Sequence, residues 1–216
     1  TNLPKVMQPL GGMSLIEHVI STAQEISKKI TVVIGHQRNL LKEHLGEIDS
    51  TIETVNQENQ LGTAHAVKTA SHLIQDDEKV LILYGDVPLI SNETIQSLLD
   101  SENKCTLLSM ILSDPTGYGR IVSNEENLAL KIIEQKDASE DERKIKEAFT
   151  GILLIDGSLL RPALEEINNQ NAANEYYLTD LVEILSSKGV KINCIQANPT
   201  EVLGANDKHE LHKLES

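Results

Sequence analysis

Apolar residues recur at helical spacing from Ser14 to Lys28 (Leu15, Val19, Ile20, Ala23, Ile26), and this pattern predicts a helix. Ile30–Ile34 reads as a strand leading into Gly35-His36, Leu40–Leu45 as a short helix and Thr51–Val55 as a second strand. Thr63–Ile74 reads as the next helix. The run Val80–Leu89 is continuously apolar up to Gly85-Asp86, the pattern of a strand buried on both faces. Ser91 then predicts an N-cap for a helix through Leu99. This β-α-β-α-β order implies a parallel sheet with right-handed crossovers.

From Cys105 onward the rhythm changes. Cys105–Leu112, Gly119–Ser123, Leu128–Gln135 and Phe149–Ile155 read as strands joined by turns or short links, and the very polar stretch from Asp137 to Lys146 as a surface helix or loop. Leu159–Ile167 and Leu178–Ser186 read as amphipathic helices, Lys191–Ala197 as a late strand and Ala205–Leu214 as a closing helix. The expected fold class is α/β, doubly wound on a mostly parallel sheet of Rossmann-like type, with antiparallel additions in the second half. No clean linker divides it, so residues 1–216 are read as one domain.

Length and composition narrow the classes. A chain of 216 residues is long enough to bury a sizeable core. Its formal net charge of −14 argues against non-specific binding to nucleic acid or to an anionic membrane. An anionic substrate would need local cations and backbone N–H groups. No apolar run of about 18 residues is present, nor a charged-then-apolar leader, and a cytoplasmic protein is expected. Cys105 and Cys194 are read as two buried free thiols rather than a disulfide.

The end of the Val80–Leu89 run offers chemistry. A carboxylate at the carboxyl end of a central strand stands where open α/β sheets bind ligands, so Asp86 either holds a divalent cation against a phosphate or belongs to a plain turn. His209 and His212 stand three apart on the closing helix, and with no third ligand they read as a solvated face.

Six blocks then stand in order: Leu3-Pro4-Lys5-Val6-Met7, Gln60-Leu61-Gly62-Thr63-Ala64-His65, Tyr84-Gly85-Asp86-Val87-Pro88-Leu89, Pro115-Thr116-Gly117-Tyr118-Gly119-Arg120-Ile121, Glu175-Tyr176-Tyr177-Leu178-Thr179-Asp180 and Gly204-Ala205-Asn206. Together they resemble the uridylyltransferase domain of bacterial N-acetylglucosamine-1-phosphate uridylyltransferase, from Leu3 to about Leu214. The resemblance implies that UTP and N-acetylglucosamine 1-phosphate give UDP-N-acetylglucosamine and pyrophosphate, with Mg²⁺ as cofactor. It makes Asp86 and Asn206 metal ligands and Lys5 a phosphate contact, with Lys5 and Asp86 catalytic. It puts Gln57, Gly62 and Thr63 on the uracil, Gly119 and Glu134 on the sugar, and Tyr84 and Gly85 along the same edge. Glu175, Tyr177 and Thr179 are pocket architecture. Read alone, Asn206 is equally a helix N-cap and Thr63 a helix-start hydroxyl.

Two departures stand out. The family's N-terminal strand, glycine-rich phosphate loop and following arginine have no counterpart here, so the chain reads as N-terminally truncated. Phe149 stands where the family has a sugar-contacting asparagine; either it bears on which sugar is accepted, or it is a core residue and the sugar contact has moved. The six-residue repeat of a left-handed β-helix is also absent, and with it the acetyltransferase activity and the trimerisation that the family's repeat domain carries, so a homo-oligomer is expected only through such a domain. A nucleotide-sugar binding module without turnover, or a transferase for another sugar phosphate, stand as alternatives.

Overall fold

Ser14 starts α1 (Leu15–Gln24) with a capping box: its hydroxyl accepts from the Glu17 N–H while the Glu17 carboxylate takes the Ser14 N–H. A two-residue hairpin, β1 (Pro9–Leu10) with β2 (Met13–Ser14), precedes it. The computed structural model describes residues 3–204; the expected closing helix, Asn206, His209 and His212 lie outside the described residues.

β3 (Thr31–Ile34) and β4 (Glu53–Asn56) pair in parallel around α2 (Arg38–Ile48). Ile16 and Ile20 of α1 and Leu41 and Leu45 of α2 bury Ile34 between them. After α3 (Thr63–Ala70), the strand β5 covers only Lys79–Ile82. Ser91 caps α4 (Asn92–Leu99) as expected, accepting from the Thr94 N–H. The strands β6 (Cys105–Ile111), β7 (Arg120–Ser123), β8 (Ala129–Ile133) and β9 (Glu147–Asp156) follow. The chain then runs through α5 (Gly157–Glu166), α6 (Asp180–Ser187), β10 (Ile192–Gln196) and the short α7 (Pro199–Val202).

The main sheet has six strands in the order β10-β6-β9-β7-β8, with β5 also on β9. β6 and β10 pair in parallel, while β9 runs antiparallel to β5, β6 and β7. It follows that β5, β6, β7 and β10 run one way and β8 and β9 the other, the antiparallel addition expected of the second half.

Both faces of this sheet are covered, as double winding requires. Leu153 and Ile155 of β9 face α5 and α6 through Leu160, Leu164, Leu181 and Leu185. Ile152 and Leu154, one position out of step, face α4 and α7 through Ile95, Leu98 and Val202.

The expectation of a fully buried β5 needs correction. Val80, Leu81 and Ile82 are only half-buried. Their two faces are packed, but β5 pairs with β9 alone, and among the described residues no strand joins its other edge or bridges it to β3. An apolar strand covered on its faces and open along one edge keeps part of its surface accessible. Cys105 is buried and Cys194 half-buried; both are free, and burial pushes each thiol up to about 12. No helix among the described residues is long and apolar enough to cross a membrane.

Candidate active site

The site grows from a gap along one edge of β9. β5 occupies that edge opposite residues 153–156, and β7 touches it only at Ala148. Between them the strand bulges: Leu107 of β6 faces Leu153, yet Ser109 faces Phe149, so Leu108 alone stands opposite Thr150, Gly151 and Ile152. Thr150 holds the bulge by donating to the Leu108 carbonyl at 2.7 Å and accepting from the Ile152 N–H at 3.2 Å. Gly151 has φ +89°, and a Cβ there would lie 2.7 Å from the Tyr84 ring. The aromatic side chain that follows β5 is therefore laid on the bulge. On the β7 side, the Phe149 N–H donates to the Gly119 carbonyl at 2.9 Å. One irregularity in one strand thus seats both Tyr84 and Gly119.

A second segment closes over the gap. The Leu61 carbonyl accepts from Tyr176 N–H at 2.8 Å, and the Tyr176 carbonyl accepts from Ala64 N–H at 2.9 Å. The Thr63 hydroxyl accepts from the Leu178 N–H at 3.0 Å and shares a hydrogen bond with Tyr84. It is a cross-link rather than a helix cap, since α3 has no side-chain cap. Burial pushes the Tyr84 phenol up to about 12, so it acts as a neutral hydrogen-bonding group. Thr179, at the start of α6, donates to Glu134 Oε1 at 2.9 Å. Gly119 lies beside the same carboxylate: a Cβ on it would stand 3.6 Å from Oε1.

Gln57 follows β4 and is 9% exposed, its Nε2 3.1 Å from the Gly62 carbonyl oxygen and 2.9 Å from His65 Nδ1. It lines a cavity of about 550 Å³ with His36, Arg38, Glu58 and Gln60. In the turn that follows β5, four residues past Ile82, Asp86 forms an ion pair with Lys5, which a single 3₁₀ turn (Lys5–Met7) presents. Gly85 sits beneath them against Val6 and Ile16, where a Cβ would make contacts of 3.2–3.4 Å.

Among the described residues, no group of three or more His, Cys, Asp or Glu side chains is placed to hold a metal. A carboxylate already engaged by an ammonium group is nonetheless a competent partner for a cation. One carboxylate oxygen with waters and substrate oxygens suits Mg²⁺, which keeps much of its hydration. Asp86 fits such an ion on those terms.

The sequence-derived site residues fall into three groups around this edge: Lys5, Gly85 and Asp86; Gln57, Gly62 and Thr63; and Tyr84, Gly119 and Glu134. The glycines act differently from expectation. The close neighbour of Gly62 is the Tyr176 backbone, and that of Gly119 is the Ile132 side chain. Phe149 is 5% exposed and buried in the core cluster that holds Ile121, Ile132 and Leu178. Sequence reasoning missed Thr150 and Gly151, whose Thr-Gly inside an apolar run was the available signal for a bulge. It also passed over Arg120, which is 1% exposed. Its guanidinium reaches the Tyr118 carbonyl and Gln135 Oε1, while Nε is buried without a partner among the described residues.

The side of the site that carries Glu134 is acidic. Burial raises the Glu134 carboxyl, and Asp137 and Glu175 push the same way against the hydrogen bond from Thr179. Asp180 is raised to about 6, first by burial and then by Glu134, Glu183 and Asp137. A carboxyl raised from 3.8 binds its proton more tightly when folded, so its contribution favours folding at low pH and fades as pH climbs from about 4 to about 6. Asp180→Asn is expected to remove that decline. Its thermal midpoint should exceed wild type above pH 6 and converge with it near pH 4. Parallel midpoint-versus-pH curves for the two proteins would refute this.

Known proteins resemble this chain in sequence and in fold. The family model described as "MobA-like NTP transferase domain" matches residues 1–173. The chain is 43% identical over 217 residues to the bifunctional protein GlmU of Caldanaerobacter subterraneus subsp. tengcongensis, covering 98% of this chain and 47% of that protein. It is 42% identical over 220 residues to the bifunctional protein GlmU of Hydrogenovibrio crunogenus, covering 100% of this chain and 48% of that one. The chain thus spans about half the length of these curated relatives.

Among solved structures, UDP-glucose pyrophosphorylase complexed with UDP-glucose superposes with a TM-score of 0.73 at 18% identity, covering 90% of this chain and 82% of the other. A putative glucose-1-phosphate thymidylyltransferase from Bacillus anthracis gives 0.71 at 16%, covering 98% and 85%. These two share the fold. With a family model matched over most of its length, the chain belongs to the MobA-like NTP transferase domain family.

Proposed function

We propose that this chain is a sugar-nucleotide uridylyltransferase domain that joins UTP to N-acetylglucosamine 1-phosphate and releases pyrophosphate. The observation that carries this reading is the gap on the β9 edge. There Tyr84, Thr63, Gly119, Glu134 and Thr179 line one side, while the Lys5–Asp86 pair stands at the turn that follows β5. The GlmU relatives favour this chemistry over other members of the family.

In the reaction, an oxygen of the sugar phosphate bonds to the α-phosphorus of UTP. The bond from that phosphorus to the bridging oxygen breaks, and pyrophosphate leaves with its electron pair. The nucleophile is already an anion, so no general base is needed and catalysis rests on positioning and charge neutralisation. Lys5 supplies a mobile point charge, which a chain of net charge −14 needs locally to hold anions. Glu134, fixed by Thr179, accepts from sugar hydroxyls. Gln57 and the Gly62–Thr63 backbone contact the base. Asp86 would hold Mg²⁺, with Asn206 as the second ligand, and the ion would neutralise charge on the phosphates.

Pyrophosphate release with UTP, Mg²⁺ and a panel of sugar 1-phosphates tests the proposal, with N-acetylglucosamine 1-phosphate expected to turn over best. Absence of release with every sugar phosphate would overturn it, and UDP-sugar binding without release would favour a binding module. Turnover of a different sugar 1-phosphate is the second reading, favoured by a phenyl ring at Phe149 that can neither donate nor accept an amide's hydrogen bonds. Under it, Phe149→Asn shifts kcat/KM toward the N-acetylated sugar. An unchanged preference would remove Phe149 from the argument.

A further inference from the structure

A primary amide has two hydrogens to give and one oxygen to accept with, and the surroundings of Gln57 decide how they are spent. The Gly62 carbonyl can only accept, so the atom 3.1 Å from it is the amide nitrogen. The second amide hydrogen then points to His65 Nδ1 at 2.9 Å, which requires a neutral imidazole with its own proton on Nε2. The His65 ring is seated against Tyr176, centroid to centroid 6.4 Å, and Tyr176 is itself tied to Leu61 and Ala64. Both amide hydrogens are consumed by the protein. What Gln57 still offers is Oε1, which among the described residues accepts no hydrogen bond.

An acceptor fixed in this way, on a side chain 9% exposed that lines a cavity of about 550 Å³, selects its partner. It complements a ring N–H, such as N3–H of uracil. Cytosine carries a lone pair at that atom and would meet Oε1 acceptor to acceptor. A buried polar contact of that kind discriminates strongly, because the wrong base leaves it unsatisfied. Without the Nδ1 acceptor, one amide hydrogen is released toward the base. Turning the amide over then costs only the Gly62 contact.

We propose that His65 is a positioning residue for base selection: by accepting from Gln57 it commits the amide and presents Oε1 to a ring N–H, so the pocket takes uracil and refuses cytosine. This rests on the assignment of Gln57 to the base under Proposed function. His65 itself touches no substrate.

The test is calorimetric binding of UTP and CTP, with Mg²⁺, to wild type, His65→Leu, His65→Asn and Gln57→Leu, with thermal midpoints recorded alongside. His65→Leu is expected to lower the UTP-to-CTP affinity ratio about tenfold, the worth of one hydrogen bond of this kind. His65→Asn, whose Oδ1 falls near the place of Nδ1, should recover most of the ratio. An unchanged ratio in His65→Leu overturns the proposal. So does an equal loss in the Leu and Asn variants, because packing rather than acceptance would then be responsible. Gln57→Leu retaining the wild-type ratio, or wild type binding neither nucleotide, instead overturns the base assignment beneath it.

Discussion

Gly62→Ala is expected to unseat the loop between β4 and α3 and to lower stability by about 4 kcal/mol. Two costs add. The residue sits at φ +117° and ψ 175°, a region that is essentially glycine's alone, and holding another residue there costs about 1–3 kcal/mol. The new Cβ would also lie 2.5 Å from the Tyr176 carbonyl oxygen and 2.7 Å from its nitrogen, and forcing an atom into packed backbone costs about 1–3 kcal/mol more. Neither neighbour can give way cheaply, because Tyr176 is hydrogen-bonded to Leu61 on one side and Ala64 on the other. For a chain of this length, about 4 kcal/mol corresponds to roughly 10 °C in the thermal midpoint.

Gly62→Ala should also weaken nucleotide binding by the molecules that remain folded. The Gly62 carbonyl anchors Gln57, and Thr63 anchors Leu178 and Tyr84, so a shift of about 1 Å reaches both halves of the site and lowers UTP affinity on the order of 10²-fold. Gly157→Ala provides the contrast. Its Cβ would fall 2.0 Å from the Gln75 carbonyl oxygen at the start of α5, so it should destabilise at least as much while UTP affinity of the folded protein is unchanged. A Gly62→Ala protein within about 2 °C of the wild-type midpoint would show that the loop absorbs the atom, contrary to the packing described above.

The same glycine marks where the sequence stops being legible. Helices α1 and α4 announce themselves through Ser14 and Ser91, whose caps lie within three residues of their partners. The alternation of strands and helices is equally local, and it puts Lys5 in a short N-terminal block; Asp86, expected at the end of the strand, lies in the turn four residues past Ile82. The partner of Gly62 is Tyr176, more than a hundred positions on, and no spacing rule reaches that far. In the sequence, therefore, Gly62 looks like room for a ligand, while in the structure the side-chain position it leaves empty is filled by the Tyr176 backbone.

Strand partners are hidden for the same reason. The apolar run at β5 has the composition of a central parallel strand, but hydrophobicity does not say which neighbour lies alongside, and β5 pairs antiparallel with β9. The bulge in β9 is hidden because Phe149–Ile155 reads as one unbroken strand, although Gly151 within it is the residue that lets the strand carry Tyr84. Arg120 is the mirror case. A charged residue at a strand start looks like surface, and its burial follows from Gln135 and the Tyr118 carbonyl folding back over it.

Substitutions at Lys5 and Asp86 should move turnover in the same direction and cation affinity in opposite directions. The two side chains are paired, yet they are 39% and 21% exposed, and ion pairs so accessible to water contribute about 0–1 kcal/mol. Stability is therefore a poor account of why they meet, and both single variants should unfold within a few degrees of wild type. The pairing has a second consequence: an ammonium on an Asp86 oxygen competes with any divalent cation for that oxygen. Lys5→Met removes the competitor, so the affinity for Mn²⁺, read by paramagnetic resonance without nucleotide, should rise several-fold. Asp86→Asn removes the carboxylate, and Mn²⁺ binding should fall below detection.

Turnover should fall in both proteins, by roughly 10²–10³-fold, the usual cost of losing one charge-stabilising group at a transition state. Under the proposed roles, Lys5→Met loses the cation that follows the phosphates, and Asp86→Asn loses the anchor of the metal. In Lys5→Met, tighter metal binding and slower chemistry would appear together, a combination that damage to the fold does not produce. Weaker Mn²⁺ binding in Lys5→Met would mean that the lysine helps to form the cation site instead of occupying it. Unchanged turnover in Asp86→Asn would take the metal away from the turn after β5 altogether.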